Sequence, residues 1–123
     1  MRHRISRRDY LRVVAAASTV TIVRSGSVRT YAANEKINIG IIGAGGRGSG
    51  NTQGVAKENI VALCDVDARH LKAAARAFPE AKTYSDFRKM LDEEKSLDAV
   101  VVSTPDHTHA VASVRAMRQG LHC

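Results

Sequence analysis

The chain has 123 residues, 44% of them hydrophobic, which is enough to bury the core of one globular domain. Its formal charge of +7 would suggest a nucleic-acid partner if it were spread over the folded part, but residues 1–33 hold seven Arg against one acid, Asp9, leaving 12 basic against 11 acidic groups in the rest. With no Trp, 4% aromatic residues and no interleaving of basic with aromatic side chains, the stacking platform of a single-strand binder is missing, and no nucleic acid is expected as partner.

In chain order, Ser6-Arg7-Arg8-Asp9-Tyr10-Leu11-Arg12 resembles the twin-arginine export consensus, with Tyr for the usual Phe and Arg for the usual Lys. An apolar run from Val13 to Val23 follows; as a helix it would reach about 16 Å, against a hydrocarbon core of ~30 Å, so no stable membrane span is expected. Arg24 and Arg29 close the run, and small residues between Thr30 and Ala33 suit processing. Residues 1–33 therefore read as a signal peptide, and the mature protein as periplasmic or secreted.

From residue 34 strands and helices alternate. Ile37-Asn38-Ile39-Gly40-Ile41-Ile42 is a β-branched run of the kind buried in parallel sheets, and a glycine-rich turn after it opens a helix near Gly46 and Arg47 that fades between Gly54 and Lys57. Gly50 and Gly54 make that helix intrinsically weak. Residues 60–64 form a second strand closed by Asp65. A helix over 68–78 carries Leu71, Ala74, Ala75 and Phe78 on one face and stops before Pro79. Lys82-Thr83-Tyr84 is a short third strand; Ser85 is the expected cap of a helix over 86–91, with Phe87, Met90 and Leu91 inward. Residues 97–103 are a fourth strand. The helix 107–119 is expected to bury Val111, Val114 and Met117 or their neighbours and to end at Gly120. Leu121-His122-Cys123 begins a fifth strand. This alternation predicts right-handed crossovers in a doubly wound, Rossmann-type parallel α/β sheet, incomplete at its C-terminal end. Cys64 and Cys123 then fall on opposite sides of the first strand, too far apart for a disulfide, and neither has zinc-site spacing.

Gly43-Ala44-Gly45-Gly46-Arg47-Gly48 fits GxGxxG, a weak pattern alone. Here it follows a buried strand, opens a helix, and has an acid, Asp65, 22 residues after Gly43 at the end of the next strand. Gly43 permits the tight turn, Gly45 the approach of a diphosphate, and Gly48 close helix–strand packing. The helix N-terminus favours the phosphates through its unpaired N–H groups. Asp65 is placed to accept from the adenosine ribose hydroxyls and to repel a 2′-phosphate, so NAD is expected over NADP; Arg47 leans toward phosphate or adenine, and Arg69 is the one residue that keeps NADP open.

The string Ser103-Thr104-Pro105-Asp106-His107-Thr108-His109 follows the fourth strand, beside the first, at the crevice where open sheets bind ligands, so it is expected on the nicotinamide side. Read blandly, Asp106 caps the next helix and the two His are polar first-turn residues. A metal held by His107 and His109 is not expected, because two positions apart on a helix they diverge.

Three strings, 39–48, Ala62-Leu63-Cys64-Asp65-Val66-Asp67 and 102–110, resemble the glucose-fructose oxidoreductase, inositol dehydrogenase and MocA family over nearly all of residues 36–123. The resemblance implies that Asp106 to His109 line the cofactor site, His109 matching the position most often His. It also implies an adjacent Glu-Lys-Pro whose Lys assists catalysis, and a second α/β domain carrying substrate. Neither stands within residues 1–123, so the chain reads as the nucleotide-binding portion (34–123), with no catalytic residue assignable, inactive alone and of doubtful independent stability. The implied activity is NAD-dependent oxidation of a sugar or cyclitol. Two alternatives stand beside it: an exported NAD-dependent glycosidase whose hydride returns to substrate, which suits a compartment without free cofactor, and a non-catalytic nucleotide-binding protein. Homo-oligomerisation of the complete protein stays open.

Overall fold

The computed structural model describes residues 35–123, and the leader expected at 1–33 lies outside them. Four strands, β1 (Asn38–Ile42), β2 (Asn59–Cys64), β3 (Lys82–Tyr84) and β4 (Ala99–Val102), pair in parallel in the order β3-β2-β1-β4. They alternate with α1 (Arg47–Gly54), α2 (Ala68–Ala77), α3 (Phe87–Glu93) and α4 (Asp106–Arg118). This is the expected doubly wound sheet. His122 bridges in parallel to Ala99, so the chain beyond α4 returns to the free edge of β4, on the side of β1 away from Cys64.

Strand residues alternate between two cores because a parallel sheet is covered on both faces. Ile39, Ile41, Ile60 and Leu63 meet Leu71, Ala74, Ala75 and Phe78 of the α2 segment on one face. On the other, Ile42, Ala62, Cys64 and Val100 pack with Met90 and Leu91 of α3 and Ala112 and Ala116 of α4. Burial, and next to it the charge of Asp65, pushes the Cys64 thiol up to about 12, so it behaves as a small apolar residue.

One local expectation is corrected and another is narrowed to the alternative it left open. Asp86, not Ser85, caps α3: its carboxylate accepts from Arg88 N at 2.9 Å, and the helix runs to Glu93. The carboxylate is the better acceptor for the orphan N–H groups of a first turn. In α4 the buried residues are Ala112 and Ala116, while Val111, Val114 and Met117 are 59%, 40% and 54% exposed. The two alanines let the helix axis approach the sheet closely, which turns the larger side chains to the flanks. Gly120, with φ +82, ends α4 as expected, letting Leu121 N bond back to Ala116 O at 3.2 Å.

The Cβ direction of Gly50 in α1 meets nothing within 4 Å. Gly50→Ala is therefore expected to raise stability by about 0.5–1 kcal/mol, through helix propensity and a less entropic unfolded chain. A urea midpoint that falls would contradict this.

Glu94, just past α3, is buried, and its Oε1 accepts from Lys82 Nζ at 2.8 Å and from the Tyr84 hydroxyl. Those two donors, Lys82 first, hold the Glu94 carboxyl below its ordinary value of 4.5. The same bond to Glu94 pushes the Tyr84 phenol above its ordinary 10.0. The lowered carboxyl contributes stability that is present above pH 4.5 and is lost as pH falls through its folded value. The raised phenol contributes stability that is present below pH 10.0 and is lost as pH climbs. Lys82 is mostly exposed, so the Tyr84 bond dominates. Glu94→Ala is expected to cost about 2 kcal/mol at neutral pH. Chemical denaturation of both proteins across pH should show this gap closing below pH 4.5.

Candidate functional site

The site forms where the C-terminal ends of β1, β2 and β4 meet. The ladder continues past the strand ends: Gly43 N donates to Cys64 O and Ser103 N to Ile42 O, each at 2.8 Å. These bonds hold the glycine turn between the β2 end and the loop after β4. Gly43 has φ +88, and a Cβ there would lie 2.7 Å from Ser103 O. A Cβ on Gly48 would lie 1.9 Å from Gly43 O. Both outer glycines are thus required by backbone atoms.

Gly45 differs. A Cβ there would lie 2.2 Å from Nδ1 of His70, a ring that is half exposed and able to turn away. The atoms nearest such a Cβ all belong to this one side chain. The bareness of Gly45 fits a ligand that approaches the loop, as does Gly46, with φ +52 and open space before it.

Asp65 is more deeply involved than its expected ribose role. Its Oδ2 accepts from Ala44 N at 2.9 Å and Gly45 N at 3.0 Å, and its Oδ1 from Asp67 N at 2.8 Å. A carboxylate has about four lone-pair sites, so three acceptances leave about one for a ligand hydroxyl. The turn's donors are sorted accordingly. Ala44 and Gly45 serve Asp65, Gly48 N and Ser49 N bond back to Gly45 O and Gly46 O, and the N–H groups of Gly46 and Arg47 remain at the helix start for an anion.

A cavity of about 870 Å³ runs along this edge. Of the residues singled out in the sequence it brings together Gly43, Gly45, Gly46, Asp65, Ser103, Thr104, Pro105 and His107. Arg47, Gly48, Asp106 and His109 do not line it. Gly48 acts from behind the turn. Arg47 is exposed on α1. Asp106 is the first residue of α4, whose cap is Pro105 without a side-chain bond, so the capping read for Asp106 is corrected. His109 turns back, and its Nδ1–H donates to Thr104 O at 3.1 Å, fixing the loop.

The Ser103 hydroxyl is taken by Asn51 Nδ2 at 2.8 Å, but the Thr104 hydroxyl is buried without a partner. An orphan hydroxyl in a cavity wall suits a polar ligand group. Thr108, within the 106–109 stretch expected there, lines the cavity too, while the sequence reading missed His70, Asp67, Phe87 and Arg88. His70 lies five positions after Asp65, but only the docking of α2 aims its ring at the turn.

Comparisons with known proteins bear on this edge. A family model described as GFO_IDH_MocA, an oxidoreductase family with an NAD-binding Rossmann fold, matches residues 37–123. A glycosyl hydrolase family 109 protein of Porphyromonas gingivalis is 39% identical over 99 residues, covering 72% of this chain and 21% of that protein. Inositol 2-dehydrogenase 1 of Saccharopolyspora erythraea is 33% identical over 89 residues, covering 68% of this chain and 26% of that one. Among solved structures, scyllo-inositol dehydrogenase from Lactobacillus casei with bound NAD(H) and scyllo-inositol superposes with TM-score 0.64 at 25% identity, covering 72% of this chain and 27% of that one. The WlbA dehydrogenase from Bordetella pertussis, in complex with NADH and UDP-GlcNAcA, gives TM-score 0.65 at 27% identity, covering 72% and 27%. The chain spans about a quarter of the length of these relatives.

Proposed function

As the chain belongs to the Gfo/Idh/MocA oxidoreductase family, over a region that is its NAD-binding Rossmann fold, we propose that it forms the nucleotide-binding part of an enzyme that moves hydride at a carbinol carbon of a sugar or cyclitol. The observation that carries this reading is Asp65, its carboxylate laid across the glycine turn with acceptor capacity to spare, in one cavity with the 103–108 loop. NAD, when bound, supplies the hydride acceptor.

The chain's own residues bind and orient. Gly46 N–H and Arg47 N–H take the diphosphate, Asp65 the adenosine ribose, and Thr104 and His107 the half of the cofactor nearer β4. A second reading has a specific observation behind it: the 39% identical relative is named a glycosyl hydrolase family 109 protein. In that reading hydride leaves the sugar and returns, so bond cleavage is redox-neutral. This second reading takes Ser6 to Arg12 as part of an export leader, because a periplasmic or secreted enzyme would have to keep its own cofactor.

The test uses protein expressed from its complete gene. It should contain or take up NAD, and exposure to polyols and aryl glycosides should either accumulate NADH or release aglycone without net NADH. Protein that neither carries nor binds a nicotinamide nucleotide would overturn the proposal.

A further inference from the structure

Resting on that reading of the cavity, we propose that Asp67 sets the choice between NAD and NADP, by neutralising the Arg69 guanidinium two residues on, beside the Asp65 end of the site. Asp67 is the residue that caps α2, and its Oδ1 accepts from Arg69 N at 2.8 Å. The same carboxylate turns the Arg69 side chain back on its own helix terminus, with Nε at 3.2 Å from Oδ1 and Nη2 at 2.8 Å from Oδ2. Asp67 lines the cavity and Arg69 does not.

The charges facing this corner can be counted. Asp65 and Asp67 stand against Arg69, and His70 Nδ1 lies 3.9 Å from Asp65 Oδ2 and 4.0 Å from Asp67 Oδ2. On the opposite wall Arg88 is held in the same way by Asp86, with Nε at 2.9 Å from Oδ1 and Nη2 at 3.0 Å from Oδ2. Each arginine is matched by the capping carboxylate of its own helix, and Asp65 is left over. A phosphomonoester brings roughly −1.5 to −2, and here it meets a net negative corner. The Asp67–Arg69 pair is exposed and weak as a bond, so the balance of charges does the excluding. Arg69 holds the Asp67 carboxyl well below the usual carboxylate range, so that charge persists across the physiological range.

Removing one carboxylate cancels that excess. Asp67→Asn keeps a capping oxygen for Arg69 N while freeing a guanidinium whose fork matches a phosphate. Calorimetry on enzyme from the complete gene should show the ratio of NADP to NAD affinity raised about tenfold or more, the scale of a charge-assisted bond. Asp67→Ser, also a good cap, should do the same. Adding Arg69→Ala to Asp67→Asn should return that ratio to its starting value. An unchanged ratio in both single variants, with NAD binding intact, would overturn the inference. A gain that survives Arg69→Ala, or one reproduced by Asp86→Asn alone, would overturn it as well. If the unaltered enzyme fails to bind NAD, the functional reading falls first and takes this inference with it.

Discussion

Gly48→Ala is expected to abolish useful dinucleotide binding and to lower the melting temperature, although alanine is the better helix former. The added Cβ would sit 1.9 Å from Gly43 O, a main-chain atom that cannot rotate aside, so either α1 or the turn must shift. Overpacking of this kind costs about 1–3 kcal/mol and sometimes more, against a propensity gain of about 1 kcal/mol. The net loss should lower Tm by on the order of 5–10 °C for a domain of this size. The shift also moves Gly46 N and Arg47 N, the donors left for phosphate. A displacement near 1 Å suffices for a loss of on the order of 100-fold in what a positioned site does. Differential scanning calorimetry and NAD titration would check both effects, with Gly50→Ala as the control, since it adds the same methyl group to the same helix in open space. Equal behaviour of the two variants would refute the close-contact argument.

The second large effect concerns Asp65→Ala. A ribose contact alone predicts a loss of about 1.5–3 kcal/mol in NAD affinity and an unchanged free protein. The structure predicts more, because removal of the carboxylate strips the acceptor from Ala44 N, Gly45 N and Asp67 N together. Each unsatisfied donor costs about 1–3 kcal/mol where water cannot replace the acceptor. The turn lies at a cavity mouth, so a total near 2–4 kcal/mol in the free protein is expected. Asp65→Asn should fall between, since an amide presents one oxygen where three N–H groups converge on two, and its NH2 must face one of them. Hydrogen exchange supplies the separating measurement. The amides of Ala44 and Gly45 should lose protection in Asp65→Ala without any nucleotide present. Intact protection with weakened NAD binding would reduce Asp65 to its ribose role.

The backbone of the site was legible because its signals are local. Strand, glycine turn, strand end and acid occupy fixed offsets, and the residues that force each conformation, Gly43 and Gly48 above all, are the ones that spacing picks out. Legibility failed where a side chain chooses among neighbours distant in the chain. Asp86 displaced Ser85 as the α3 cap because its carboxylate meets Arg88 N, a geometry that only the folded backbone sets. The family resemblance singles out His109, yet it is His107 that lines the cavity, while His109 bonds Thr104 O behind it.

The amino-acid sequence by itself determined the order of elements, the parallel sheet and the place of the glycine turn, since 2.0- and 3.6-residue periodicities and glycine's freedom act within a few residues. Tertiary structure alone decided that Asp65 reaches back 21 residues to Ala44, that His70 covers Gly45, and that alanines rather than valines of α4 face the sheet. Those outcomes depend on how closely one element docks on another, a distance that no local pattern encodes.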